Sequence, residues 1–232
     1  IRKQSSGDLP KKCNELGMKI LWKSTVVYTE GHKKITKVHA MKLSEDNRNT
    51  IGIKLKINCD LLCVSGGYTP AIHLFTQSGG KLNFNEKKYC FQPGSTPHNQ
   101  ISVGSCNGTF DLKNIIEESQ NKTNEFLKLN HDNQINISEY INGTLENIWL
   151  LPSDKVSGKT KSFVDYQNDS TANDIKLALR EGFKSIEHVK RYTTTGMATD
   201  QGKIANMHAL GIISEITNTK LGELGTTTFR PP

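Results

Sequence analysis

The sequence predicts an α/β (α+β) chain, and three observations carry that expectation. Alternating, β-branched runs separated by turn-forming stretches fill the first sixty residues, which is the pattern of a meander of half-buried strands. Near the middle, an apolar triplet runs through a glycine-rich turn into a stretch with helical spacing. From Phe163 onward the pattern changes to short, capped, amphipathic helices.

The elements follow in order. Leu9 to Gly17 reads as a short helix closed by Gly17, with Leu9, Cys13 and Leu16 on one face. Lys19 to Trp22, Ser24 to Thr29, Ile35 to Leu43 and Thr50 to Ile57 read as strands. Glu30-Gly31-His32-Lys33 and Glu45 to Asn49 are the turns between them. Leu61 to Ser65 reads as a short buried strand ending in Gly66-Gly67, and Ala71 to Gln77 as a brief helix. Lys81 to Phe91 reads as a hairpin, and Ile101-Ser102-Val103 as a strand before the helical spacing of Phe110 to Glu118. Gln120 to Thr144 is Asn-rich and weakly periodic, which predicts a loop or a poorly packed insertion. Leu151 to Lys161 is a Ser/Gly/Lys linker and marks the expected domain boundary. Beyond it, Thr171 is placed to cap a helix through Arg180 that closes at Gly182. Ser185 to Tyr192 and Gln201 to Ile216 are two further helices.

The composition narrows the function classes. The chain has 232 residues, 34% hydrophobic and 23% charged, which is a globular balance. No apolar run approaches the roughly 20 residues that a membrane helix needs, so no membrane role is expected. The net charge is +7, but lysines are spread along the chain and aromatics are only 7%, which favours a solvated surface over a nucleic-acid patch. Ile1 to Ser5 lacks the apolar core of a signal peptide. Together with an odd count of five cysteines, this leads to the expectation of reduced thiols and a cytoplasmic location. Cys59 and Cys63 lie in an apolar stretch and are expected to be buried and inert. The absence of an initiating Met leads to the expectation of a piece of a longer polypeptide.

Three constellations could carry chemistry. In Gly104-Ser105-Cys106-Asn107-Gly108-Thr109, glycines between a strand and a helix would let backbone N–H groups approach a phosphate; a plain turn is the competing reading. Ser65-Gly66-Gly67-Tyr68-Thr69-Pro70 could be a tight exit from a sheet or part of a ligand site. Phe163 to Thr171, with Gly196 to Lys203, forms the third, and Arg191 to Lys203 is hydroxyl-rich and basic, suited to a flavin phosphate or an acidic neighbour. Asp165 and Asp200 could form an acid–base pair, although a structural role is the stronger reading. His188 sits beside Lys190 and Arg191 and reads as a surface residue. No residue stands out as catalytic, and none as a metal ligand.

The first two constellations, behind a meander, resemble the closing half of flavoproteins with two dinucleotide-binding domains. There a Gly-Asp-x-x-Gly turn meets the dinucleotide; this chain has Ser105 in place of the Asp. Ile1-Arg2 resembles the end of a strand of the inserted domain. The third constellation resembles the small helical domain related to bacterioferritin-associated ferredoxin, whose iron–sulfur versions place four Cys where this chain has Asp165, Gln167, Asp200 and Ala205. Val164 to Asp169, Ser185 to Met197 and Gly225 to Pro232 resemble the alpha subunits of heterotetrameric sarcosine oxidases.

The resemblance implies a fold: the C-terminal half of a flavoprotein with two dinucleotide-binding domains, followed by a small helical domain. Residues 1–60 would be part of the inserted NAD(P)-binding-like subdomain, 61–150 the closing part of the FAD/NAD-binding-like domain, and 160–232 the helical A3 domain. It also implies an oxidoreductase subunit with NAD at Gly66, Gly67, Gly104, Ser105, Asn107, Gly108, Thr109 and Phe110. FMN would lie at an interface formed by Thr193, Thr194, Thr195, Gly196, Met197 and Lys203. Its implied partners are beta, gamma and delta subunits, with FMN and FAD in the assembled complex, sarcosine as substrate, and tetrahydrofolate on a domain following Pro232. A dye-linked proline or amino-acid dehydrogenase subunit and a non-catalytic assembly module are the rival readings.

Overall fold

The computed structural model describes residues 8–129, 137, 146–152 and 161–227. The chain divides into two compact units, Ile1–Gly66 with Ile141–Lys161, and Gly67–Tyr140 with Ser162–Pro232.

In the first unit, helix α1 (Asp8–Glu15) precedes a three-stranded antiparallel sheet of β1 (Ser24–Gly31), β2 (Ile35–Leu43) and β3 (Thr50–Asn58), in that order. Thr25 and Val27 of β1 are buried at alternate positions, as the period-2 pattern requires. The central strand buries Val38, His39, Ala40 and Leu43, with Leu43 fully enclosed. Only glycine suits the β1–β2 turn at position 31, because a Cβ there would lie 2.0 Å from the Lys34 carbonyl oxygen. Asp46 shapes the β2–β3 turn by accepting the Arg48 amide at 3.1 Å.

Three expectations fail in this unit. Lys19 to Trp22 forms no strand; Lys23 has φ +49°, which breaks an extended run before β1. Leu61 to Ser65 is irregular and open, with Leu61 72% and Val64 81% exposed. Apolar content alone cannot make a strand, since its N–H and C=O groups need a neighbouring ladder. Cys63 is consequently exposed and Cys59 half-buried, not the enclosed thiols expected. Helix α1 forms where the spacing places it, but buries none of its residues. Ile1-Arg2 lies outside the described residues.

The second unit opens with α2 (His73–Gln77) and the hairpin of β4 (Leu82–Asn85) and β5 (Cys90–Pro93). Phe84 and Phe91 are cross-strand partners with ring centroids 5.0 Å apart, and Phe75 and Ile72 are buried in the same unit. Ile101 to Val103 is not a strand, although Val103 keeps an extended backbone. It leads into a 3₁₀ turn, Gly104–Asn107, and then α3 (Leu112–Leu127), capped by Asp111. Residues 120–127, expected as loop, are the last two turns of α3. Exposed pairs such as Lys122–Glu125 (2.7 Å) support a helix that has no buried face. The rest of the segment to Thr144 lies outside the described residues, apart from Leu129 and Ile137 and the Lys128 that ends α3.

The helical part begins with β6 (Phe163–Asp165) paired to the short β7 (Ser170–Thr171). Helix α4 (Ala172–Arg180) starts from the expected Thr171 cap as a full capping box with Asp174, and Gly182 follows with φ +95°. Helices α5 (Ile186–Thr193) and α6 (Ala205–Thr217) pack on it through Ile175, Ala178, Val189, Ile212 and Ile213, all at most 1% exposed. Burying such side chains stabilises by roughly 1.5–3 kcal/mol each for the larger ones. Helix α6 begins four residues later than the sequence predicts, because Gln201 and Gly202 have positive φ. A four-residue α7 (Leu221–Leu224) sets Gly222 against the Cβ of Phe84 at 3.3 Å for an added Cβ, tying this part to the hairpin.

Candidate functional site

The turn after Val103 is built around an acid that the sequence reading missed. Gly104 is buried with φ +65°, Gly108 has φ +74°, and both conformations favour glycine. The Gly104 amide donates to Glu118 Oε2 at 3.0 Å, and the Asn107 side-chain amide donates to Glu118 Oε1 at 2.5 Å. The carbonyl oxygens of the turn are also engaged: Gln92 Nε2 donates to Asn107 O at 2.5 Å and Lys88 Nζ to Gly108 O at 2.7 Å. Burial works against a charged Glu118, yet hydrogen bonds from Asn107, Thr109 and the Gly104 amide, with the Lys88 charge, hold its carboxyl below the usual glutamate value. Glu118 follows Ile115 by three residues on α3, and Ile115 is the side chain that an added Cβ on Gly104 would meet at 3.2 Å. That shared helix face is the only hint the sequence offered.

What the turn shows outward is Ser105, Cys106 and Phe110, all exposed. The Phe110 ring stands 5.5 Å from that of Tyr68 at 30°. Gly67 has φ +102°, and Gly66 belongs to the first unit; a Cβ on either meets nothing within 4 Å. Set against a dinucleotide, the turn fits at its aromatic and hydroxyl side and does not fit as a phosphate cradle, because its inner donors are taken.

The Arg191–Lys203 stretch is also ordered from within. Asp165, 3% exposed, accepts the amides of Gly196 at 2.7 Å, Gln167 at 2.9 Å and Asn168 at 3.2 Å. Gln167 Oε1 accepts the Asp200 amide at 3.4 Å, and Asp200 accepts the amides of Gly202 and Ile204 at 3.1 and 3.3 Å. So the three polar residues at the positions where the resemblance places cluster thiolates organise backbone, and Ala205 is buried. Each of these hydrogen bonds to Asp165 and Asp200 is accepted from a backbone amide, which is a structural use of both carboxylates. Among the described residues, no group of three or more His, Cys, Asp or Glu is arranged to hold a metal ion.

The threonines turn inward. Thr193 Oγ1 donates to the Val189 carbonyl at 2.8 Å and lies 2.7 Å from Thr195 Oγ1, while the Thr193 carbonyl accepts from Ser170 Oγ at 2.6 Å. Thr195 is 2% exposed. Thr194, at φ +57°, is exposed, but its hydroxyl donates to the Thr193 carbonyl. Three adjacent hydroxyls reaching out to an anion is therefore not what this loop presents. Gly196 is buried, and Met197 and Lys203 are exposed. Burial, and secondarily the charge of Lys203, hold the imidazole of His73 on α2 below its ordinary value. Asn206, buried beneath both Gly196 and Gly202, is a second residue that sequence reasoning missed.

The C-terminal residues 159–232 match the family model of the sarcosine oxidase A3 domain. Over 226 residues the chain is 31% identical to the sarcosine oxidase subunit alpha of Corynebacterium sp. (strain P-1), covering 93% of this chain and 23% of that relative. It is 35% identical over 187 residues to that of Rhizobium meliloti (strain 1021), covering 75% of this chain and 18% of the relative. The chain thus spans about a quarter of the length of these relatives. Its fold is similar to the L-proline dehydrogenase of P. horikoshii, with a TM-score of 0.60 and 19% identity, over 99% of this chain and 47% of the other.

Proposed function

Because the chain belongs to the family of sarcosine oxidase alpha subunits, we propose that it is part of an oxidoreductase complex converting sarcosine, water and dioxygen to glycine, formaldehyde and hydrogen peroxide. In that reaction the methyl carbon loses two electrons and dioxygen gains them, so atoms and electrons balance. Flavin bound in the assembled complex would supply the two-electron chemistry. In this reading the amine would be oxidised on a partner subunit.

Its own part in the reading is to bind and enclose. Ser105 and Phe110, with Tyr68 beside them, would meet NAD through its uncharged portion. Thr194, Met197 and Lys203 would face the FMN-bearing interface with a beta subunit, and Thr193, Thr195 and Gly196 would hold that loop in shape. The 160–232 segment would be the A3 domain, 1–60 part of the inserted NAD(P)-binding-like subdomain and 61–150 the closing part of the FAD/NAD-binding-like domain. A beta, gamma and delta subunit would complete the assembly. FAD would be bound there too, and tetrahydrofolate on a further domain of the alpha subunit.

The observation that carries this reading is the identity over most of the chain, and it agrees with Asp165, Gln167, Asp200 and Ala205 standing where the resemblance places cluster thiolates. The second reading is a proline or amino-acid dehydrogenase subunit, for which the fold likeness is to an L-proline dehydrogenase; by the resemblance it would go with cluster thiolates that positions 165, 167, 200 and 205 do not supply. The complex containing this chain should release hydrogen peroxide and formaldehyde in equal amounts from sarcosine. Turnover of proline without turnover of sarcosine would overturn the assignment. In the same complex Lys203→Ala should weaken flavin retention or slow electron transfer by a factor corresponding to about 1–3 kcal/mol. Unchanged flavin content and rate would remove Lys203 from the interface.

A further inference from the structure

The Gly104–Thr109 turn carries the features of an anion seat: a buried glycine amide, a side-chain amide, a hydroxyl and a nearby lysine. The Lys88 ammonium donates to the Gly108 carbonyl and adds its charge, while the three hydrogen-bond donors converge on one carboxylate, that of Glu118. Its two oxygens take the Gly104 amide and the Asn107 amide, and Thr109 donates a third bond. The charged groups that face it are Lys88, from the β4–β5 turn, and Lys122, one turn further along α3. A phosphate entering here would need the same donors and would meet an existing negative charge.

We propose that Glu118 is a built-in occupant of this seat, so that the turn excludes phosphate and admits only an uncharged part of any nucleotide that reaches it. Glu118 is then a specificity-determining residue: it decides which portion of a dinucleotide can lie against the turn, and the pyrophosphate is held elsewhere. Glu118 fills the seat through the turn's own hydrogen bonds, whichever nucleotide reaches it.

Inorganic pyrophosphate is the direct probe, followed by amide resonances of the isotopically labelled full chain. In the unsubstituted protein, pyrophosphate should leave the Gly104 amide and the Asn107 side-chain amide unmoved. In Glu118→Ala it should shift the Gly104 and Ser105 amides saturably, with an apparent affinity at least about tenfold higher, the factor equivalent to about 1.4 kcal/mol. Saturable shifts of the same size in both proteins, or none in a folded Glu118→Ala, would overturn the proposal. Should Glu118→Ala fail to fold, a pH titration of the unsubstituted protein decides. The Gly104 amide should move in a single step with a midpoint below the ordinary glutamate value. An amide indifferent to pH through the acid range would show that Glu118 is not seated there.

Discussion

Asp165→Ala should destabilise the helical domain by about 3 kcal/mol or more, seen as a lower urea midpoint for the unfolding of that part of the chain. The reason is specific. Three backbone amides lose their acceptor: that of Gly196 is buried, while those of Gln167 and Asn168 belong to exposed residues and are left to water. Each unsatisfied buried donor costs about 1–3 kcal/mol, and relaxation of the loop recovers some of it. Asp165→Asn should cost less, because one oxygen remains to accept, but its amide group would face the donors that the second carboxylate oxygen served. An Asp165→Ala protein as stable as the parent would show that the carboxylate does not organise this loop.

Gly202→Ala is expected to be the second most damaging change, and a second substitution can apportion its cost. At φ +77° an alanine pays about 1–2 kcal/mol in backbone strain alone. Its Cβ would also sit 2.1 Å from Asn206 Oδ1 and 2.3 Å from Asn206 Cγ, so Asn206 must leave a buried position. The sum should be about 2–4 kcal/mol. In an Asn206→Ala background the collision disappears and only the backbone part should remain. Equal costs in the two backgrounds would mean that Asn206 does not fill the space under the glycine.

How much of this was legible in the sequence depends on whether the cause is local. The strands from Ser24 to Ile57 and the capped helix after Thr171 follow from periodicity and from one hydroxyl three residues before an acid, so they were readable. The apolar runs Lys19–Trp22 and Leu61–Ser65 read as strands for the same reason, but a strand also needs a partner, which composition does not reveal. The last turns of α3 were missed because Asn-rich sequence argues against a helix, while its ion pairs and its cap argue for one. At the candidate sites the sequence pointed to the right loops and misjudged what they offer. It could not show that Thr193 and Thr195 turn inward, or that an acid fourteen residues after Gly104 fills the turn. Residue type gives the available chemistry; which groups have already spent it on each other is a matter of tertiary structure.

The domain's core and loop are thus held by packing and by Asp165, Gln167 and Asp200, at the positions where the resemblance places cluster thiolates. Iron and acid-labile sulfide analysis of anaerobically purified protein tests that account most directly. The account predicts neither element above background and no thiolate–iron charge-transfer absorption, with the helices folded; stoichiometric iron and sulfide would contradict it.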